Sequence, residues 1–353
     1  MGNIIGLSMF SSAGIGETFF KDIGIDIVTA NELVERRANL YRNVHSETNM
    51  IQGNILDKDV FLNFINSSPE KIDFLLASPP CQGLSVAGKN RNVDSMSKDE
   101  RNYLIYKVIE VINIKDPTYV LIENVPSLLK LLLSYNGSLK TVEDILINEF
   151  NDLYNIETCI IDAADLGVPQ TRKRAIIKLY KKDRKWPWPA SEKKITVRES
   201  ISHLPSLESG EFSDIKWHFA RKHDERHILW MKHTPTGMSA FENEIYFPKK
   251  LDGSRVKGYN TTYRRILWDE PAPTITIRND AISSQRNVHP GRRLEDGTYS
   301  DARVLTPLEL MLLNSLPIDW GIPDDTPELL IRQCIGESIP PLMLKKLVGE
   351  IEQ

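Results

Sequence analysis

Cys81 is the residue from which chemistry is most readily built. It stands in Ser78-Pro79-Pro80-Cys81-Gln82-Gly83-Leu84-Ser85, directly after the apolar run Ile72 to Ala77. A short buried strand ending in this way leaves the thiol at the carboxyl edge of a sheet, where open α/β folds keep their sites. The prolines stiffen the approach, and the glycine that follows suits a loop. A cysteine so placed can act as a nucleophile. The commoner fate, an inert buried thiol, fits poorly between Pro-Pro and Gln-Gly. Glu123-Asn124-Val125-Pro126 repeats the geometry, because a carboxyl emerges just past the apolar run Tyr119 to Ile122. In Gln170-Thr171-Arg172-Lys173-Arg174, strand alternation would put Arg172 and Arg174 on one face, two guanidinium groups suited to an anion or a heteroaromatic oxygen. The bland alternatives are a helix-capping Glu-Asn pair and a solvated basic strand end.

A glycine turn completes the set. Phe10-Ser11-Ser12-Ala13-Gly14-Ile15-Gly16 follows the apolar run Asn3 to Met9. Glycines there let the backbone turn tightly and approach a ligand. Glu32 closes the next β-branched run, Ile25 to Ala30, where an acid accepts hydrogen bonds from ribose hydroxyls in folds of this class.

The elements that must position these groups alternate in type. Strand-like runs fall at 3–9, 25–30, 72–77, 119–122, 156–162 and 175–180, with helical stretches starting at Glu17 and at Leu33. This pattern predicts a parallel sheet covered by helices on both faces. After Trp186-Pro187-Trp188-Pro189 the chain becomes rich in Gly, Pro, His and basic residues and loses helical period until about Trp320. Pro327 to Gln353 is helical again, with Leu342, Leu344, Leu347 and Ile351 near one face, and is expected to return to the first domain. The domains are therefore expected at 1–185 plus 328–353 and at 186–327.

Composition narrows the class. The 353 residues are 41% hydrophobic and 26% charged, which supports a globular core. No apolar run approaches the ~20 residues of a membrane span, and the opening residues lack the basic and apolar regions of a secretory signal. The three cysteines, odd in number and far apart, exclude a disulfide framework or a four-cysteine metal site and fit a reducing cytoplasm. Net charge is -4, yet 172–198 carries 11 basic and 2 acidic residues (+9) and 255–293 carries 8 and 3 (+5). An acidic body with a basic middle suits a polyanion gripped on one side.

The order FxxxGxG, PPCQ, ENV and QxRxR resembles the cytosine-5 DNA methyltransferase family. The resemblance covers nearly the whole chain. It includes Asp99-Glu100-Arg101-Asn102, Arg265-Ile266, Pro271 to Thr276, Leu305 to Glu309, and Gly336-Glu337-Ser338-Ile339-Pro340-Pro341. It implies a doubly wound, Rossmann-like methyltransferase domain that binds S-adenosylmethionine, with a smaller irregular target-recognition domain. The implied cofactor contacts are Phe10, Ser11, Gly14, Gly16, Glu32, Leu33, Asn54, Ile55, Glu337 and Ser338. The implied catalytic set is Cys81, Glu123, Arg172 and Arg174. In it Cys81 attacks cytosine C6 as thiolate, Glu123, its pKa raised by burial, protonates N3, and Arg174 binds O2. Stacked neighbours cover that ring face, so the cytosine must leave the duplex. Gln82, Ser85 and Arg101 are expected to close on DNA. Lys178 to Lys194 and His218 to Arg293 are expected to face it, with sequence reading from Thr236, Gly237 and Arg255. The resemblance further implies a double-stranded DNA substrate and functional pairing with a restriction endonuclease; a monomer is expected. Two positions depart from the family pattern. Asn54 replaces an Asp expected to meet the adenine amine, and Glu337 replaces an Asn beside the amino-acid end of the cofactor, where a carboxylate would repel the ligand carboxylate. The alternatives are an RNA cytosine-5 methyltransferase, an amino-methylating enzyme, in which an aromatic would follow Pro-Pro, and a catalytically weakened DNA-binding relative.

Overall fold

The computed structural model describes residues 3–80, 104–250 and 252–352. The chain divides into two compact units, one of 1–162, 173–190 and 344–353, the other of 163–172 and 191–343.

The first unit opens with β1 (Ile4–Met9), β2 (Ile25–Glu32), α1 (Glu35–Val44), β3 (Asn49–Gln52), α2 (Lys58–Asn66) and β4 (Phe74–Ala77). It continues with α3 (Leu104–Lys115), β5 (Tyr119–Asn124), the hairpin β6 (Leu132–Tyr135) and β7 (Ser138–Thr141), α4 (Val142–Phe150), β8 (Tyr154–Asp162) and β9 (Lys173–Lys181). The seven-stranded sheet runs β3-β2-β1-β4-β5-β9-β8. Strands β1 to β5 pair in parallel. Every residue of β4 and β5 is buried, which is what a sheet covered on both faces requires. The chain runs outward from β1 to β3 and then jumps back to β4 on the other side of β1. The topological switch therefore lies between β1 and β4, where crevices form outside the carboxyl ends.

Three expectations change. The sheet is mixed rather than parallel, because β9 is antiparallel to both β5 and β8. The helix expected from Glu17 is two 3-10 turns, Ile15–Glu17 and Lys21–Ile23. Glu17 is held inside, accepting hydrogen bonds from the Ser8 and Tyr41 hydroxyls, and Gly24, with φ of 74°, ends the second turn. Strand β3 was not anticipated, since four residues carry no readable period.

The second unit contains α5 (Val197–Ile201), α6 (Glu225–Lys232), α7 (Pro307–Leu313) and α8 (Glu328–Glu337), between stretches joined only by isolated bridges. A last helix, α9 (Pro341–Val348), begins in this unit, and residues from Leu344 onward belong to the first. There the Trp186 indole donates to Leu347 O at 2.8 Å; of the 328–353 segment, 328–343 lies in the second unit. The irregular unit is organised by buried charge. Arg303 donates to both oxygens of Glu309, at 2.8 and 3.0 Å, and to Asp301 at 2.8 Å, all fully or nearly fully buried. Glu309 also closes a capping box with Thr306 at the start of α7. Burial would raise the Glu309 carboxyl, but Arg303 and His289 overcome it and hold it down at about 2. His289, between Asp301 and Glu309, is pushed down to about 4, chiefly by burial.

Candidate active site

Three adjacent carboxyl ends are stitched together in the first unit. Ser78, after β4, donates from its backbone N to Met9 O at 3.3 Å and from its hydroxyl to Phe10 O at 3.2 Å. Asn124, the last residue of β5, donates to Pro79 O at 2.9 Å. The glycine turn, the Ser-Pro-Pro segment and the Glu-Asn pair thus form one edge. Glu123 lies within β5 rather than beyond it, because pairing with β9 extends the strand to Asn124. Its Oε1 takes the Arg174 guanidinium at 2.8 Å, with only 9% and 12% of the two side chains exposed. Cys81, Gln82, Ser85 and Arg101 lie outside the described residues.

Arg172 and Arg174 do not share a strand face. The strand starts at Lys173, and Arg172 belongs to the preceding excursion into the second unit. Arg172 is 1% exposed and donates to Ile275 O at 2.8 Å and Gly336 O at 3.1 Å, clamping the Pro271–Thr276 and Gly336–Pro341 segments.

The turn after β1 is built on the left-handed backbone of Phe10, Ser12 and Gly14, with φ of 62°, 49° and 75°. A Cβ at Gly14 would lie 2.5 Å from the His45 ring and 2.7 Å from Tyr41, so only glycine fits. Gly16 sits in the following 3-10 turn. Ser11 N donates to Asn31 O at 2.9 Å, and its hydroxyl reaches the Ser8 hydroxyl at 2.8 Å. Both oxygens of the buried Glu32 accept backbone N–H groups, of Ser12 at 2.9 Å and of Val34 at 2.7 Å. Each oxygen keeps a lone pair, so Glu32 can still accept from two vicinal hydroxyls. Beside it Leu33 is 60% exposed, an apolar surface next to a fixed acid. Asn54 Oδ1 accepts Leu56 N at 3.1 Å, and Ile55 is buried. An exposed apolar side chain, a hydroxyl-binding carboxylate and a polar amide suit an adenosine group.

In the second unit, Glu337 ends α8 half-buried, and Ser338 is buried, accepting from Asn314 at 3.0 Å. Thr236 and Gly237 form a turn, with Thr236 Oγ1 donating to Pro290 O at 2.8 Å and φ of 77° at Gly237. Arg255 donates to Phe241 O at 2.7 Å and Asn243 O at 3.2 Å and stacks 3.6 Å over the Phe247 ring, so its fork is spent on the protein. Several basic residues expected to face DNA are internal instead. Lys178 is fully buried, donating to Trp186 O with its ammonium 3.8 Å over the Trp188 ring. His218, Arg265 and His289 are buried too. Sequence reasoning missed the buried hub of Ser8, Glu17 and Tyr41, for which the only sequence signal was an acid directly after the last glycine.

The C-5 cytosine-specific DNA methylase model matches residues 4–353. The chain belongs to that family. It is 58% identical over 350 residues to the type II methyltransferase M1.HgaI of Avibacterium volantium, a match spanning 99% of this chain and 98% of the relative. The type II methyltransferase M1.HphI of Haemophilus parahaemolyticus is 28% identical, over 98% of this chain and 86% of its own. The fold is similar to that of the Entamoeba histolytica methyltransferase EhMeth, with a TM-score of 0.62 at 15% identity over 99% and 97% of the two chains. This cytosine-5 DNA methyltransferase is thus of the restriction-modification type. Among its described residues no helix is long and apolar enough to cross a membrane.

Proposed function

We propose that this methyltransferase takes its methyl group from S-adenosylmethionine and places it on C5 of a cytosine flipped out of a short duplex site. The observation that carries the reading is the stitched edge of β1, β4 and β5, which fixes Glu123 against Arg174 directly beside the segment leading to Cys81. S-adenosylmethionine supplies an electrophilic methyl. Glu32 binds the ribose hydroxyls, Leu33 and Ile55 flank the adenine, and Asn54 offers its remaining lone pair to the adenine amine. Phe10, Ser11, Gly14 and Gly16 shape the turn that faces the cofactor, and the motif match adds Glu337 and Ser338. Cys81, as thiolate, bonds to cytosine C6 and makes C5 nucleophilic. Glu123, in its protonated form, donates at N3, and Arg174, 2.8 Å from its Oε1, orients the ring. Arg172 acts through the two segments it clamps. C5 takes the methyl group with release of S-adenosylhomocysteine; a base then removes the C5 proton, the Cys81–C6 bond breaks, and N3 returns its proton to Glu123. Protection from a cognate restriction endonuclease, a cytoplasmic location and a monomeric state complete the proposal.

Duplex DNA containing a mechanism-based cytosine analogue tests this reading, with tRNA as the comparison. A covalent protein–DNA adduct that forms only with the methyl donor, and that disappears in Cys81→Ser, is the expected result. Methylation by Cys81→Ser above about a hundredth of the wild-type rate, or product on tRNA but none on DNA, overturns it.

A further inference from the structure

In the second unit most arginines already have protein partners. Arg198, Arg221, Arg226 and Arg264 hold carboxylates, and Arg265 and Arg303 are buried. Arg292 reaches Asp301, Arg332 holds Glu328, and Arg255 is spent on carbonyls. Among the described residues of 191–343, only the guanidinium groups of Arg278, Arg286 and Arg293 engage no other group of the protein.

These three differ in what lies around them. Arg293 borders a turn carrying Glu295 and Asp296, whose charges oppose a polyanion. Arg278 neighbours Asp280 and lies outside any paired backbone. Arg286 is on paired backbone. Its N donates to Thr261 O at 2.8 Å, Gln285 bridges Thr262, and Tyr263 N donates to Ile282 O at 3.2 Å. The segment is anchored by the buried Ile282 and Val288, which pack with Trp230, Met231 and Val304. Arg286 itself has φ of 45°, a left-handed conformation that costs a non-glycine residue energy. The kink breaks strand alternation, so Gln285 and Arg286 are both exposed and Asn287 and Val288 are both buried. Gln285 likewise engages no other side chain. Facing them across the pairing are Asn260, Thr261 and Thr262, with no acid among them. Glu242, which touches Asn260, is held by Arg264.

We infer that Arg286 and Gln285 form a base-reading pair for the methylated DNA site. Arginine presents a fork to guanine O6 and N7, and glutamine presents one to adenine N6 and N7. A reading side chain also needs a rigid base, which the pairing with 261–263 supplies. The inference rests on duplex DNA being the substrate.

The test is methylation of a random-sequence duplex library by wild type, Arg286→Ala, Arg286→Lys and Gln285→Ala, with S-adenosylmethionine binding followed by calorimetry. Preference at one base pair is expected to relax roughly tenfold or more in both Arg286 variants, because lysine keeps the charge but not the fork. Gln285→Ala is expected to relax a neighbouring pair. Cofactor affinity should stay within about twofold, which also shows that the variants fold. Unchanged preference overturns the inference. So does full retention of preference by Arg286→Lys, or a uniform loss across sequences with a salt slope lower by about one, the mark of a phosphate contact. If wild type methylates no duplex in the library, it is the proposed function that fails.

Discussion

Glu17 is the residue whose role is least visible from outside. It lies beneath the glycine turn with both oxygens taken by hydroxyls, from Ser8 and from Tyr41. Burial raises its pKa, with His45, Ser8 and Tyr41 acting the other way. The Ser8 hydroxyl is in turn reached by Ser11 of the turn, so Glu17 acts on the turn through two side chains. Glu17→Ala removes the acceptor to which the buried Ser8 and Tyr41 hydroxyls donate, at about 1–3 kcal/mol. Its melting temperature is expected to fall, and S-adenosylmethionine binding to weaken about tenfold by calorimetry. Glu17→Gln can serve one hydroxyl as acceptor and the other as donor, and is expected to bind within about threefold of wild type. The same logic sets a test at Glu123. Glu123→Gln is expected to slow single-turnover methylation at least about a hundredfold while DNA affinity changes little, because its proton matters along the reaction path. An unchanged single-turnover rate would remove it from the mechanism.

At the scale of the element, the segment from His289 to Glu309 stands out. Gly291 N donates to His289 Nδ1 at 3.1 Å, which requires that nitrogen to be unprotonated. Asp301 and Glu309 face the ring, and Arg303, Arg265 and the Trp268 edge surround it. The folded histidine protonates at about 4 against 6.5 for an exposed one. The unfolded chain therefore takes up the proton first. The contribution of His289 to stability is complete above about pH 6.5 and is lost as pH falls toward 4, by up to about 3 kcal/mol. Thermal melts between pH 7.5 and 4.5 should show this fall, and His289→Gln should flatten it. None of this was legible in the sequence, where His289 is one of several histidines in a stretch without period. What was legible followed from local signals. The apolar runs at 72–77 and 119–122 marked two strands and brought Ser78, Pro79 and Glu123 to one edge. The order of motifs supplied the family. The antiparallel β9 escaped because parallel and antiparallel strands of a buried sheet are alike in composition. The buried fate of Lys178 and Arg265 escaped because charge in a sequence carries no record of which face it will take.

For the whole molecule, charge decides how substrate is met. The protein carries -4 overall, yet the second unit keeps exposed cations within 249–286, among them Lys249, Lys250, Lys257 and Arg286. DNA affinity is therefore expected to fall linearly in log–log form as salt rises, since each neutralised phosphate releases counterion. The slope should be shallower than the basic totals of 172–198 and 255–293 suggest, because Lys178, Arg172 and Arg265 are internal. Filter binding between about 50 and 200 mM salt measures it, and a flat plot would contradict a phosphate-facing surface.

The excursion of residues 163–172 bears on how such an enzyme could acquire a new target. This decapeptide leaves the first unit between β8 and β9 and is built into the second. There Gln170 donates to Asn314 at 3.0 Å and accepts from Ile275 N at 3.0 Å, and Arg172 holds Ile275 and Gly336. A recombination that exchanged only 191–343 with a relative would strand these partners in the parental chain. The second unit is thus encoded in two pieces, the long segment and a ten-residue insert upstream of it. Parents that differ at Gln170 or Arg172 would yield chimaeras in which these contacts are mismatched.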